Sequence, residues 1–183
     1  MSYDLQEQLE LSRQRDHEID KHVKNVWLVN TVNRDFERAG VDRIWTHRDS
    51  GMRWSVEYKH DTLAHKTGNV FVETVSVDTA GKKGWAYTST AQLLVYYVVE
   101  GEYAFIARMH EIRRRLPGWE RFYKAKHATT TDRAGNAYKT WGVLIPLQTF
   151  RAASEKVVPV YNGDERAQRE NVIPMLGRLE DAS

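Results

Sequence analysis

The chain has 183 residues, 41% hydrophobic and 28% charged, with a formal net charge of +2 and an isoelectric point near 8.8. A chain of this size and composition is expected to fold as one domain around a substantial core, and the lack of cysteine excludes a disulfide framework or a thiolate zinc site. No apolar run suits a signal peptide or a membrane span, so a soluble cytoplasmic protein without a membrane partner is expected.

Residues 3–24 place Leu5, Leu9, Ser12, Asp16, Ile19 and Val23 at helical spacing, which predicts an amphipathic helix. It also carries Glu10, Asp16, Glu18 and Asp20, a pattern that a solvated acidic face explains by itself. Val26–Val32 reads as a first strand. Asn33–Gly40 reads as a charged connection or helical turn ended by a glycine suited to left-handed backbone, with Asp35 as a turn residue.

The next stretch, Val41–Lys59, sets two β-branched and aromatic runs on either side of Asp49-Ser50-Gly51, which predicts a β-hairpin. A reversal at Ser50 and Gly51 puts Asp42 opposite Lys59 and Ile44 opposite Glu57. Because side chains alternate, Asp42, Glu57 and Lys59 then share one face, and a slip of one residue would break the cluster. Two close carboxylates repel each other, and a divalent cation relieves that repulsion by taking oxygen from both. Mg2+ suits such a place, with Mn2+ able to substitute. A neighbouring lysine can orient a water or offset charge developing on phosphorus. The chemistry this points to is phosphodiester hydrolysis. The bland alternative is an exposed hairpin with cross-strand ion pairs, each contributing well under ~1 kcal/mol.

Asp42, followed fifteen residues later by Glu57-Tyr58-Lys59 on an apolar strand, resembles the signature of the PD-(D/E)xK nuclease superfamily. Val41 stands where many members have proline. The downstream Lys66–Glu73 run also looks like the strand after the lysine in some phage and bacterial members. The resemblance covers roughly residues 10–150. It implies a restriction-endonuclease-like α/β core, a central mixed sheet flanked by helices, Asp42 and Glu57 as metal ligands and Lys59 as the lysine acting on the attacking water. It also suggests a further acid on the preceding helix, for which Glu18 is the candidate by position.

Downstream, His60, Asp61 and His65 could be drawn as a transition-metal site, but their spacing fits a polar loop better. Val70–Val77 reads as a strand on which Glu73 faces either the cluster or solvent, a possible outer neighbour of the metal ligands. Asp78–Trp85 reads as a loop in which Lys82 and Lys83 suit a phosphate backbone and Trp85 a stacked base, or simply as a solvated turn. Thr88–Gln92 looks like a capped helix start leading into a buried strand at Leu93–Val99, with Gly101-Glu102 turning into a partner strand at Tyr103–Ala107. Met109–Arg115 predicts a helix ended by Leu116-Pro117-Gly118. Arg113, Arg114, Arg115, Arg121, Lys124 and Lys126, interleaved with Trp119 and Tyr123, form the densest basic and aromatic stretch, a candidate DNA grip. The bland alternative is a solvated helix paired with Glu111 and Glu120.

Ala128–Lys139 reads as a mobile loop, Thr140–Leu147 as a strand closing the sheet, and Gln148–Ser154 as the start of a helix. The domain is expected to span residues 1–154, with 155–183 as an extended arm or a partly disordered tail; as an arm, its Val157, Val158, Val160, Ile173 and Leu176 could pack on a second subunit. The resulting expectation is a Mg2+-dependent DNA endonuclease, for which a homodimer is plausible. The alternatives are a non-catalytic nucleic-acid-binding protein on the same core and, within the nucleases, a Holliday-junction resolvase. A small-molecule hydrolase lacks support, since no Ser-His arrangement or glycine-rich phosphate loop occurs.

Overall fold

The computed structural model describes residues 5–131 and 135–161, with side chains from residue 10 onward except at 130 and 131. Helix α1 (Leu5–Val23) forms where the spacing sets it, and buries Ile19 and Val23. Strand β1 (Trp27–Thr31) follows, then the single-turn helix α2 (Arg34–Arg38), capped by the Asn33 side chain, which accepts from the N–H groups of Asp35 and Phe36. Gly40 ends this turn at φ 75 and packs against Ser89, so closely that an added Cβ would lie 2.8 Å from the Ser89 Cα.

Strands β2 (Arg43–His47) and β3 (Arg53–Asp61) form the expected hairpin. The register differs: Ile44 faces Ser55 and Arg43 faces Val56. The reversal takes four residues, Arg48–Gly51, closed by the His47 N–H on the Met52 carbonyl, with Gly51 at φ 71. The His47 ring, which accepts from the Ser50 N–H, favours this wider turn over a two-residue one. A shift of two positions leaves every side chain on its expected face.

Past β3 the chain makes the short helix α3 (Ala64–Thr67), reverses at Gly68 and runs as β4 (Asn69–Val77). A 3-10 turn, the two-residue strand β5 (Lys82–Lys83) and the helical turn α4 (Trp85–Thr88) lead to β6 (Leu93–Val98). The helix expected to start at Thr88 is replaced by α4 just before it. Trp85 and Ala86 are drawn into the core, and the Ser89 hydroxyl donates to the Gly40 carbonyl while accepting from Ala91 N–H. β7 (Tyr103–Arg108) returns antiparallel to β6, and α5 (Met109–Phe122) follows. The expected stop at Pro117 does not occur. An interior proline costs about 3 kcal/mol, but Leu116 and Trp119 are buried on either side of it and offset that cost by roughly 1.5–3 kcal/mol each.

Ala128–Lys139, expected to be a loop, is mostly a β-ribbon of β8 (Ala125–Thr131) and β9 (Ala137–Pro146), while Asp132–Ala134 lie outside the described residues. β8 is an edge strand exposed from Ala125 to Thr129, and its sequence lacks the apolar alternation that marks a half-buried strand. Helix α6 (Leu147–Arg151) and strand β10 (Lys156–Pro159) complete the described chain. β10 pairs with β7, and Val158 and Val160 are buried in the chain's own core, so this part of the expected arm packs within the domain. Ile173 and Leu176 lie outside the described residues.

The architecture is α/β, a mixed sheet flanked by helices. One central sheet was expected, and there are two: a six-stranded sheet, β1-β2-β3-β6-β7-β10, and a four-stranded antiparallel sheet, β5-β4-β9-β8. The reason lies in β6, all six of whose side chains are buried and which runs parallel to β3; a strand of that kind needs cover on both faces. On one face Leu93, Val95 and Tyr97 pack with Ile19 and Val23 of α1. On the other, Leu94, Tyr96 and Val98 share a cluster with Val70 and Val72 of β4, Val143 and Ile145 of β9, and Leu116 of α5. Among the described residues, no helix is long and apolar enough to cross a membrane.

Candidate functional site

Glu57 and Lys59 are paired with Leu94 and Tyr96, so they project from the face of β3 that meets the second sheet. Carried one residue beyond Arg43, the hairpin register sets Asp42 opposite Glu57, and the Asp42 N–H donates to the Val56 carbonyl at 2.8 Å. Asp42 Oδ2 accepts the N–H of Tyr58, the residue between Glu57 and Lys59, at 2.7 Å. The Lys59 Nζ lies 2.6 Å from Glu57 Oε1. From the second sheet β4 adds Glu73, which accepts the Trp85 N–H and lies within the electrostatic reach of both Lys59 and Glu57. Gly84 permits this approach: a Cβ there would lie 2.6 Å from the Glu73 carbonyl oxygen.

Glu57, Lys59 and Glu73 line a cleft of about 790 Å³ between the sheets, whose walls also carry Arg38, Lys82, Lys83 and Lys126. An acidic floor thus lies within a basic rim. Glu57 is 2% exposed; the Ser89 hydroxyl lies close enough to favour its ionised form, but donates its proton to the Gly40 carbonyl at 2.8 Å, which leaves the second oxygen, Oε2, without a well-formed hydrogen bond. Burial pushes the carboxyls of Asp42, Glu57 and Glu73 above their ordinary values, although Lys59 pulls each of them down.

These shifts link stability to pH. A carboxyl with a raised folded pKa holds its proton more tightly in the native state, so its stabilising contribution is complete at low pH and fades as pH rises through the folded value. Glu57→Gln is therefore expected to raise the melting temperature at pH 7 by a few degrees, on the order of 1 kcal/mol. The advantage should shrink as pH falls through the raised folded value and be gone below the ordinary value of 4.5. Calorimetry between acid and neutral pH measures it, and a variant less stable than the parent at pH 7 would refute the expectation.

The rest of the expected set is dispersed. Glu18 interacts with Tyr97, which shares a face with His60 and the α1 helix, so the sheet separates it from Glu57; it belongs to the helix interface because Ile19 and Val23 fix the rotation of α1. Arg113 donates to the carbonyls of Ala86 and Ser89, and so anchors α4. Arg114 pairs with Glu111 at 2.7 Å, Arg115 lies 3.8 Å from the same carboxylate, and exposed Arg121 sits over the Phe122 ring. Of the basic stretch, Lys126 reaches the cleft; these arginines and exposed Lys124 do not line it. Trp85 packs in the core with 9% of its surface exposed, and that edge lines the cleft wall. His60 pairs with Asp16 on one face of the sheet, whereas Asp61 caps α3 and accepts from Tyr96 on the other, which makes them structural.

Two features escaped the sequence reading. Arg38 enters the cleft wall from α2, whose Asn33 cap and acidic first turn were legible as a helix start. Behind β3, Arg43 bridges Asp16 and Asp20 at 3.1 and 3.0 Å, and Tyr58 donates to Asp20 at 2.8 Å while accepting from Trp45 at 2.9 Å. The i, i+4 spacing of the two aspartates was its visible trace.

Whether the cluster fits a cation depends on its donors. Among the described residues no three histidine or acidic side chains are gathered into a metal cage. Mg2+ rarely needs one, since it is commonly held by one or two carboxylates with water and phosphate oxygens. Glu57 on the cleft floor, with Asp42 opposite it in the hairpin register and within electrostatic reach although outside the cleft lining, offers the one or two carboxylates that chemistry asks for. No protein-family model matches the chain, and comparison with curated proteins and with solved structures finds no match.

Proposed function

We propose that this chain is a Mg2+-dependent DNA endonuclease with a restriction-endonuclease-like core. The observation that carries the reading is the buried Glu57 carboxylate on the floor of a lysine-rimmed cleft, paired with Lys59 through Oε1, with beside it a Ser89 hydroxyl whose proton goes to the Gly40 carbonyl. When bound, Mg2+ held by Asp42 and Glu57 would supply an acidified water and counter-charge for phosphate oxygens. The chain's own groups do the remainder. Lys59, 32% exposed, can hold a water or a non-bridging phosphate oxygen while staying paired with Glu57. Asp42 is fixed by the Tyr58 N–H, and Glu73, held by the Trp85 N–H, adds negative charge within reach of Lys59 from the facing sheet. Lys82, Lys83 and Lys126 supply charge for the phosphate backbone.

The test is incubation of supercoiled plasmid and branched duplex with Mg2+, Mn2+ or EDTA, using the parent protein and Asp42→Asn. Cleavage by the parent is expected only with metal, and the variant should lose it by about 10²-fold or more. Binding without metal-dependent cleavage would replace this reading with a non-catalytic nucleic-acid-binding protein.

A further inference from the structure

Gly142 lies inside β9, where a glycine forfeits side-chain packing and weakens a strand. Its neighbours give the reason. A Cβ there would come within 2.7 Å of the Phe71 Cζ, so the Phe71 ring is seated on the bare backbone of β9. Phe71 is half-buried and lines the cleft together with Leu144, its partner across β4 and β9, and Leu63, which is 62% exposed. The seat is pinned from below: the Phe71 N–H donates to the Tyr96 hydroxyl at 3.2 Å, and that hydroxyl donates to Asp61 at 2.6 Å. Tyr96 and Lys59 are register partners, so one strand spacing of about 4.8 Å and the length of one tyrosine side chain separate the Phe71 backbone from the lysine's strand.

A ligand for this wall needs both negative charge and flat apolar surface. Lys82 and Lys83 come from β5 and Lys126 from β8, the two edges of the four-stranded sheet, three strand spacings or roughly 14 Å apart. No single phosphate meets both edges, whereas successive phosphates of one strand do. Of the acids in the lining, Asp61 also accepts from the N–H groups of Leu63 and Ala64, and Glu73 accepts from that of Trp85. The cleft, about 790 Å³, falls in the range that encloses a ligand of ordinary drug size, roughly 300–1,000 Å³. Glu57, 2% exposed on its floor, is reached by a strand that enters and not by a duplex lying across the mouth. On the hydrolytic reading of this cleft, we propose that it takes a single DNA strand, at a fork, flap or gap, with one unpaired base stacked on Phe71 and the phosphates on Lys82, Lys83 and Lys126. Sites for single strands join a cationic groove to an aromatic face, which every base can use.

The experiment is fluorescence anisotropy in EDTA over a salt series, with a labelled single strand, the matching blunt duplex, and deoxyadenosine monophosphate as competitor, alongside cleavage of a forked duplex with Mg2+ or Mn2+. The variants are Phe71→Leu, which keeps apolar bulk on Gly142, and Phe71→Tyr, which keeps the ring. Unchanged circular dichroism shows that both are folded. Expected are preference of the parent for the strand, roughly tenfold weaker strand binding by Phe71→Leu with Phe71→Tyr close to the parent, and an unchanged salt slope, because stacking releases no counterions. A parent that prefers the blunt duplex, a Phe71→Leu variant that binds the strand like the parent, a salt slope that falls with the affinity, or a mononucleotide held as tightly as the strand overturns the base platform. If Phe71→Leu leaves binding unchanged and the parent still cuts the fork with metal, the hydrolytic reading stands without the platform. If the parent holds the strand through Phe71 but cuts nothing with either metal, the platform stands and the hydrolytic reading falls.

Discussion

Lys59→Met is expected to reduce metal-dependent cleavage by about 10²–10³-fold while leaving duplex affinity within roughly threefold. Methionine keeps the length and the apolar stem but removes the ammonium that sits 2.6 Å from Glu57 Oε1. The loss has two sources with different signatures. Charge no longer meets the phosphate, which lowers the rate at every pH. Glu57, already raised by burial, also loses its main counter-charge, so its carboxyl rises further and the acid limb of the pH–rate profile moves to higher pH. Single-turnover kinetics across pH separate the two. A variant that cuts at the parent's rate would place the chemistry elsewhere.

Arg43→Met is expected to cost about 3–5 kcal/mol of unfolding free energy, the range seen when one partner of a buried ion pair is removed. The Arg43 side chain is 14% exposed and joins Asp16 and Asp20 of α1 to the strand that follows Asp42. Without it, two poorly hydrated carboxylates face each other, and the Tyr58 ring loses the guanidinium 5.3 Å from its centre. Urea titration measures the cost. Adding Asp16→Asn and Asp20→Asn to the variant should recover much of it, since the penalty lies in the stranded charges. A change below about 1 kcal/mol would mean that α1 is held by Ile19 and Val23 alone.

Local rules carried the sequence reading a long way at the hairpin. Alternation around Glu57-Tyr58-Lys59 put Glu57 and Lys59 on one face even though the turn had four residues, because a two-residue shift preserves facing. α1 was legible by its helical period, and β1, β6 and β7 as apolar runs bounded by turn residues, because both patterns are written along the chain. What was not legible depended on distant partners. Glu73 had an ambiguous face until β4 left the main sheet to pair with β9, and Arg113 looked like a phosphate ligand until α4 offered it carbonyls. Pro117 argued for a helix end, but burial of Leu116 and Trp119 carried the helix onward. A polar strand such as β8, exposed from Ala125 to Thr129, carries no hydrophobic period to read.

The last described strand bears on how the protein is handled. β10 covers the outer side of β7, whose Ala104, Phe105, Ile106 and Ala107 are all buried, and Glu155 and Val160 add backbone bonds to Ile106 and Glu102 at either end. Trimming the gene after residue 154, the boundary that composition suggests, would strip that cover. The product would present a row of unsatisfied amides beside an apolar strand, a template for filamentous stacking between neighbouring molecules.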